Sequence, residues 1–174
     1  MKRRELERAL RAAARVSHQT EFLLLGSQAV HCYCRRPPAE VLLSQECDLY
    51  PMGRPEAADV LVAELGRGSR FARKFGYYVD VLAPEIANLP IQWESRLEQI
   101  TFGQVTAHCL EIHDLIVAKL AASRIKDFEF AAALIRRRLA KPRVIRHRIQ
   151  LLTDAQERRR LQRHLQAIID DLGR

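Results

Sequence analysis

The sequence predicts an α/β (α+β) fold: a small mixed β-sheet flanked by helices, with a helical C-terminal part. Three observations carry this. The apolar run Phe22-Leu-Leu-Leu25 shows no alternation and halts at Gly26-Ser27, as a strand buried on both faces does. Short apolar runs then alternate with helical patterns as far as Leu82, and strand, helix, strand, helix, strand is the rhythm of a layered α/β unit. From His113 the apolar period is helical to the end.

Taken in order, residues 2–17 form an amphipathic helix, with Leu6, Leu10, Ala13 and Ala14 on one stripe and basic residues over the rest. Phe22 to Leu25 is the first strand, and Ala29 to Tyr33 opens a helix that Pro37-Pro38 must end. Val41 to Leu43 and Cys47 to Tyr50 make the next extended segment, with a kink or bulge at Ser44-Gln45. Pro55 to Leu65 is a helix that Gly66 closes, Gly68-Ser69-Arg70 is loop, and Tyr77 to Leu82 is the third strand. After a short helix at Trp93 to Leu97, residues 99–102 and 104–110 alternate around Gly103 as a hairpin. Leu115, Ala118, Ala122 and Ile125 form one helical stripe, Phe128 to Leu139 a further helix, and Pro142 a helix start. Thr153-Asp-Ala-Gln156 reads as a capping box for a last helix that Gly173 stops. The expected organisation is an α/β core over residues 1–110 and a helical part over 111–174 packing on it.

At 174 residues the chain suffices for one sizeable core with a helical extension. Its 29 Lys and Arg against 21 Asp and Glu leave a formal charge of +8. That surplus suits acidic partners such as RNA, DNA or nucleotides, and serves solubility equally well. Met1-Lys-Arg-Arg leads into no apolar leader, and no run approaches the ~20 residues of a membrane span, so a cytoplasmic protein is expected. Cys32, Cys34, Cys47 and Cys109 lack zinc-type spacing and read as free thiols.

The candidate chemistry lies in carboxylates. Gly26-Ser27, between strand and helix, offers a turn without Cβ obstruction, with backbone N–H groups behind it that can face an anion. Alone, such a glycine is also a simple turn. Glu46 and Asp48 stand two apart on one strand face, and Asp80 sits within the next apolar strand. Carboxylates gathered by adjacent strands repel, and divalent magnesium or manganese offsets that while bridging nucleotide phosphates. Surface acids paired with the many arginines are the alternative.

Leu-Leu-Gly26-Ser27, then Glu46-x-Asp48, then Asp80 resembles the polymerase-beta-like nucleotidyltransferase superfamily. The stretch from His113 through Lys119 and Arg124-Ile-Lys126-Asp127 resembles bacterial nucleotidyltransferase-like toxins of abortive-infection and type IV toxin–antitoxin systems. The resemblance covers roughly residues 20–130. It implies a nucleotidyltransferase fold and a two-metal site of Mg2+ or Mn2+ at Glu46, Asp48 and Asp80. It further implies NTP phosphates at Gly26 and Ser27, activation of a hydroxyl by Asp80, and Lys119, Arg124 and Lys126 serving the nucleotide cleft. Lys119, Ser123 and Lys126 are expected on one helix face. The usual first carboxylate is aspartate, and Glu46 is one methylene longer, which bears on metal geometry. The expected function is transfer of a nucleoside monophosphate from NTP to a hydroxyl of RNA or protein, as a toxin with an antitoxin partner. The alternative is a silent module that binds nucleotide, nucleic acid or a partner protein. The arginines after Arg136 lack interleaved aromatics and read as a solvated or partner-facing helical surface.

Overall fold

A computed structural model describes residues 1–173. The chain divides into two compact units: Met1–Ile86 with Leu97–Leu110, and Ala87–Arg96 with Glu111–Arg174.

The first unit holds helices α1 (Arg3–Ser17), α2 (Val30–Tyr33), α3 (Ala58–Leu65) and α4 (Arg70–Phe75). Its strands are β1 (Glu21–Leu24), β2 (Glu46–Pro51), β3 (Tyr78–Val81), β4 (Glu98–Phe102) and β5 (Val105–Cys109). They form one sheet in the order β3-β2-β1-β5-β4. Central β1 runs antiparallel to β2 and parallel to β5, β2 and β3 are parallel, and β4 and β5 form the expected hairpin. Phe22, Leu23 and Leu24 are all buried, which is why β1 carries no alternation. In β2, by contrast, Cys47, Leu49 and Pro51 are buried while Glu46, Asp48 and Tyr50 are half-buried on the other face. Leu6, Ala9, Leu10 and Ala13 of α1 are buried, and α1 packs against α3.

Three local expectations change. Val41 to Leu43 is not extended: Ala39–Leu42 is a tight 3-10 turn, with the Val41 N–H on the Pro38 carbonyl at 3.1 Å. The Met1 ammonium donates to the carbonyls of Leu42 and Ser44 at 2.7 and 2.9 Å, which withdraws those acceptors from sheet pairing. The loop at Gly68 is followed by α4, capped by Ser69, whose hydroxyl accepts from the Ala72 N–H at 3.0 Å. Six residues show no periodicity for a sequence to betray. Pro55–Ala57 is likewise a 3-10 turn that leads into α3.

The second unit contains α5 (Ile112–Ala122), α6 (Ile125–Arg136), α7 (Pro142–Gln150) and α8 (Ala155–Leu172). Leu115, Ile116, Leu120, Leu134, Ile145, Leu161 and Leu165 are all fully buried. Proline begins α7 as expected. The cap of α8 is Asp154 rather than Thr153, since its carboxylate accepts from the Gln156 N–H at 2.7 Å. The expected stripe from Leu115 to Ile125 breaks at Ser123, which adopts φ 56° and leaves Ile125 80% exposed.

Candidate functional site

The carboxylate face is built by register. Asp48 of β2 lies directly opposite Asp80 of β3, and Glu46 opposite Tyr78, on two parallel strands. Paired residues of neighbouring strands share a face at roughly 4.8 Å strand spacing, so two aspartates sit side by side. Their neighbours Cys47 and Val79 point into the core. The sheet therefore brings Asp48 and Asp80 together, as the sequence expected, and places Glu46 two residues away on the same face.

Gly26 is drawn to this pair for a reason the sequence did not disclose. Its backbone is extended, φ −95° and ψ −165°, a conformation open to any residue. What forbids a side chain is Asp48: an added Cβ would stand 1.6 Å from its Oδ2 and 2.7 Å from its Cβ. The missing side chain is the seat of a carboxylate. Ser27 follows, buried, at the start of a short 3-10 turn over Ser27–Ala29. The Ala29 N–H is used by the Gly26 carbonyl at 3.0 Å, and Val30 also bonds within the turn. Behind Ser27 the expected helix is a 3-10 turn followed by α2, only four residues long, and the Ala29 and Val30 N–H groups are used within the turn.

Three further residues shape this face and escaped the sequence reading. Gln28, 1% exposed, donates from Nε2 to the carbonyls of Ser44 and Glu46 at 3.3 and 3.2 Å, tying the Gly-Ser turn to the start of β2. Its Oε1 is buried without a partner among the described residues. Tyr78 donates its hydroxyl to Glu46 Oε1 at 2.8 Å. Arg67 in turn donates to that hydroxyl at 2.7 Å, lies 3.7 Å from Glu46 Oε1 and stacks over the Tyr78 ring. Burial, with the Glu46 carboxylate adding to it, pushes the Tyr78 phenol upward in pKa, so it stays protonated and donating. The position of Tyr78, two before Asp80, was the available signal. Glu46 is therefore engaged sideways by Tyr78 and Arg67, and among the described residues no group of three or more His, Cys, Asp or Glu is placed to hold a metal ion.

A family model described as nucleotidyltransferase of unknown function (DUF6036) matches residues 6–166. The chain belongs to this nucleotidyltransferase family. No curated protein and no solved structure matches it. The match extends through both units, so the family's defining segment includes the helical residues as well as the carboxylate face.

In the second unit two of the three expected basic residues converge on an acid. Asp127, 1% exposed, accepts from Arg124 Nε at 2.6 Å and lies 3.1 Å from Lys119 Nζ, whose side chain is 11% exposed and rests over the Phe130 ring. Burial alone would raise the Asp127 carboxyl, but Arg124 and Lys119 outweigh it and hold it below the ordinary carboxylate range. The expectation that Lys119, Ser123 and Lys126 share one helix face is corrected. Lys119 is on α5, Ser123 is the left-handed residue that ends it, and Lys126 belongs to α6. His113 and Asp114 of the same motif are also internal. Nδ1 of His113 donates to Glu111 at 2.6 Å while Nε2 accepts from the Lys141 N–H at 3.0 Å. Asp114 is met by Arg96 Nε at 2.7 Å and by Arg148 Nε at 3.1 Å, the latter near enough to pair though not aligned as a hydrogen bond.

Among the described residues no helix is long and apolar enough to cross a membrane. The four cysteines are free thiols, as expected, Cys47 and Cys109 buried and Cys32 and Cys34 half-buried.

Proposed function

We propose that the chain transfers a nucleoside monophosphate from an NTP to a hydroxyl of RNA or protein through the Asp48–Asp80 face. The observation that supports it most is the in-register aspartate pair beside a glycine whose missing Cβ is filled by one of its carboxylates. Like charges so placed repel each other, and a small divalent cation offsets the repulsion. Magnesium or manganese fits this donor set: hard oxygens, of which magnesium commonly takes one or two from protein and the remainder from water and phosphate. Asp48 and Asp80 would hold it, without Glu46, which Tyr78 and Arg67 engage, and when bound it supplies charge neutralisation for the phosphates.

The chain's own groups then have distinct tasks. Gly26 and Ser27 seat the phosphates beside Asp48. Asp80, the exposed member of the pair, accepts the proton of the acceptor hydroxyl, whose oxygen bonds to the α-phosphorus as pyrophosphate leaves. The resemblance also assigns Lys119, Arg124 and Lys126 to the nucleotide, and within the second unit Asp127 fixes the first two.

Incubation of the protein with each α-labelled NTP, manganese, and total RNA and protein tests this. Label should enter an acceptor and be lost in Asp48→Ala; no label from any of the four NTPs would sink the enzyme reading. A second reading, a silent module that binds nucleotide, is favoured by the sideways engagement of Glu46 with Tyr78 and Arg67. Calorimetry separates the two: NTP binding with magnesium that is unchanged in Asp48→Ala supports the silent module. The narrower reading, a toxin restrained by an antitoxin protein, rests on the resemblance of residues 113–127. It predicts growth arrest on expression that Asp48→Ala relieves.

A further inference from the structure

A positive patch of the first unit lies along α1, away from the carboxylates. Arg4, Arg8, Arg11 and Arg15 are spaced 4, 3 and 4 apart, which puts them on one stripe about 16 Å long, and all four are exposed. With Phe71 and Phe75 of α4 they line a groove of about 410 Å³. The two rings are half-buried, 4.9 Å apart between centroids. Arg8 lies 4.7 Å over the Phe75 ring and donates to the Tyr77 hydroxyl at 3.0 Å, and Lys74 Nζ stands 5.4 Å from Phe75. One acid, Glu7, lines the groove, 2.8 Å from Arg11.

We infer that this groove binds single-stranded RNA. A row of guanidinium groups tracks phosphates, and aromatic rings beside it offer stacking surfaces to bases. Rings in a cationic groove serve unpaired bases, because the faces of paired bases are hidden within a duplex. The lone carboxylate points to RNA over DNA: Glu7 would repel a phosphate but accepts a hydrogen bond from a ribose 2′-hydroxyl, which deoxyribose lacks. An acidic peptide would answer the arginines and leave the rings without a role.

The groove is on the helix-bearing face of the sheet. Tyr77 and Tyr78 are adjacent and point to opposite sides, Tyr77 to Arg8 of α1 and Tyr78 to Glu46 of the carboxylate face. RNA held there is anchored and not reacting. Naming it as the acceptor class rests on the transferase reading, whereas its binding does not.

Fluorescence anisotropy with a labelled oligoadenylate RNA of about a dozen nucleotides, without NTP, tests the groove. Arg4→Ala with Arg15→Ala, both exposed and remote from the core, should weaken binding about tenfold or more and lower the salt slope by about 1.4, two phosphates' worth for a single strand. Phe71→Leu should weaken it several-fold with the salt slope unchanged, in a variant whose melting temperature shows it folded. DNA of the same sequence should bind more weakly. Unchanged affinity in the double arginine variant, or equal binding of the DNA or competition by polyglutamate at equal charge, would overturn the inference. RNA binding in a protein that transfers no nucleotide leaves the groove standing and removes only the transferase reading.

Discussion

Two pairs of aspartates in this molecule have opposite surroundings. Asp114 and Asp127 of the helical unit are 0% and 1% exposed, and each is met by two cations within 3.1 Å. Asp48 and Asp80 of the sheet instead lie opposite each other on adjacent strands, the first half-buried and the second exposed. A buried carboxylate survives only when neutralised, so the first pair is explained by the fold itself. Like charges directly opposite each other in a sheet are destabilising. The contrast sets two carboxylates buried against paired cations beside two that face each other in register, and the proposed transfer assigns the second pair its role.

The largest expected effects test that separation directly. Asp48→Asn should abolish nucleotide transfer, a loss of at least a thousandfold or about 4 kcal/mol of barrier, while leaving the unfolding free energy read from urea denaturation within about 0.5 kcal/mol of the parent. Asp127→Ala should do the reverse to the fold: it strands Lys119 in a nearly closed site and costs roughly 3–5 kcal/mol. Denaturation curves and labelling assays on both variants decide it. If Asp48→Asn unfolds as readily as Asp127→Ala, the sheet carboxylates are structural and the comparison fails.

A smaller effect concerns how tightly Asp48 is seated. Gly26→Ala would drive a methyl into the Asp48 carboxylate and toward its Cβ, so it should destabilise by about 1–3 kcal/mol. In an Asp48→Gly background the same substitution should cost much less, a coupling that a double-mutant cycle reads. Additive costs would mean that Gly26 is required by something other than that carboxylate.

These residues also show where a sequence speaks and where it does not. The strand before Gly26 was legible because burial on both faces leaves an unbroken apolar run, and Glu46 with Asp48 because a strand repeats every two residues. That Asp80 falls opposite Asp48, and not one residue away, depends on how α3 and α4 return the chain across 32 residues, which no local pattern records. Gly26 was read as a turn, but its need arises from a side chain 22 positions away. The helix break at Ser123 was missed because serine is an ordinary helix residue, and only the packing sets its φ at 56°. The arginine stripe of α1 was legible only as the basic side of an amphipathic helix, because its aromatic partners come from a six-residue helix without readable periodicity. On α8, Arg158, Arg159 and Arg163 line a shallow cleft with Gln150 and Gln162 and no aromatic ring, as their sequence suggested.

The smallest effect lies within the buried pair, whose members shift in opposite directions. At Asp114 burial dominates, Glu111 adds to it, and Arg96 and Arg148 offset it only partly, so its pKa is raised above the usual 3.8. At Asp127 burial is outweighed by Arg124 and Lys119, and its pKa is lowered below 3.8. The native state therefore gives up the Asp127 proton more readily than the unfolded chain, and its stabilisation, present above about pH 4, is lost as pH falls through the lowered value. Asp114 acts with the opposite sign: the native state takes up its proton first, and stability is gained as pH falls through the raised value toward 3.8. Between about pH 6 and about pH 3, Asp127→Asn should thus flatten the acid loss of stability and Asp114→Asn should steepen it. Urea unfolding of both variants at the two pH values measures the slopes. Equal slopes would mean that the two carboxyls titrate alike, and that neutralisation by paired cations does not distinguish one buried aspartate from the other.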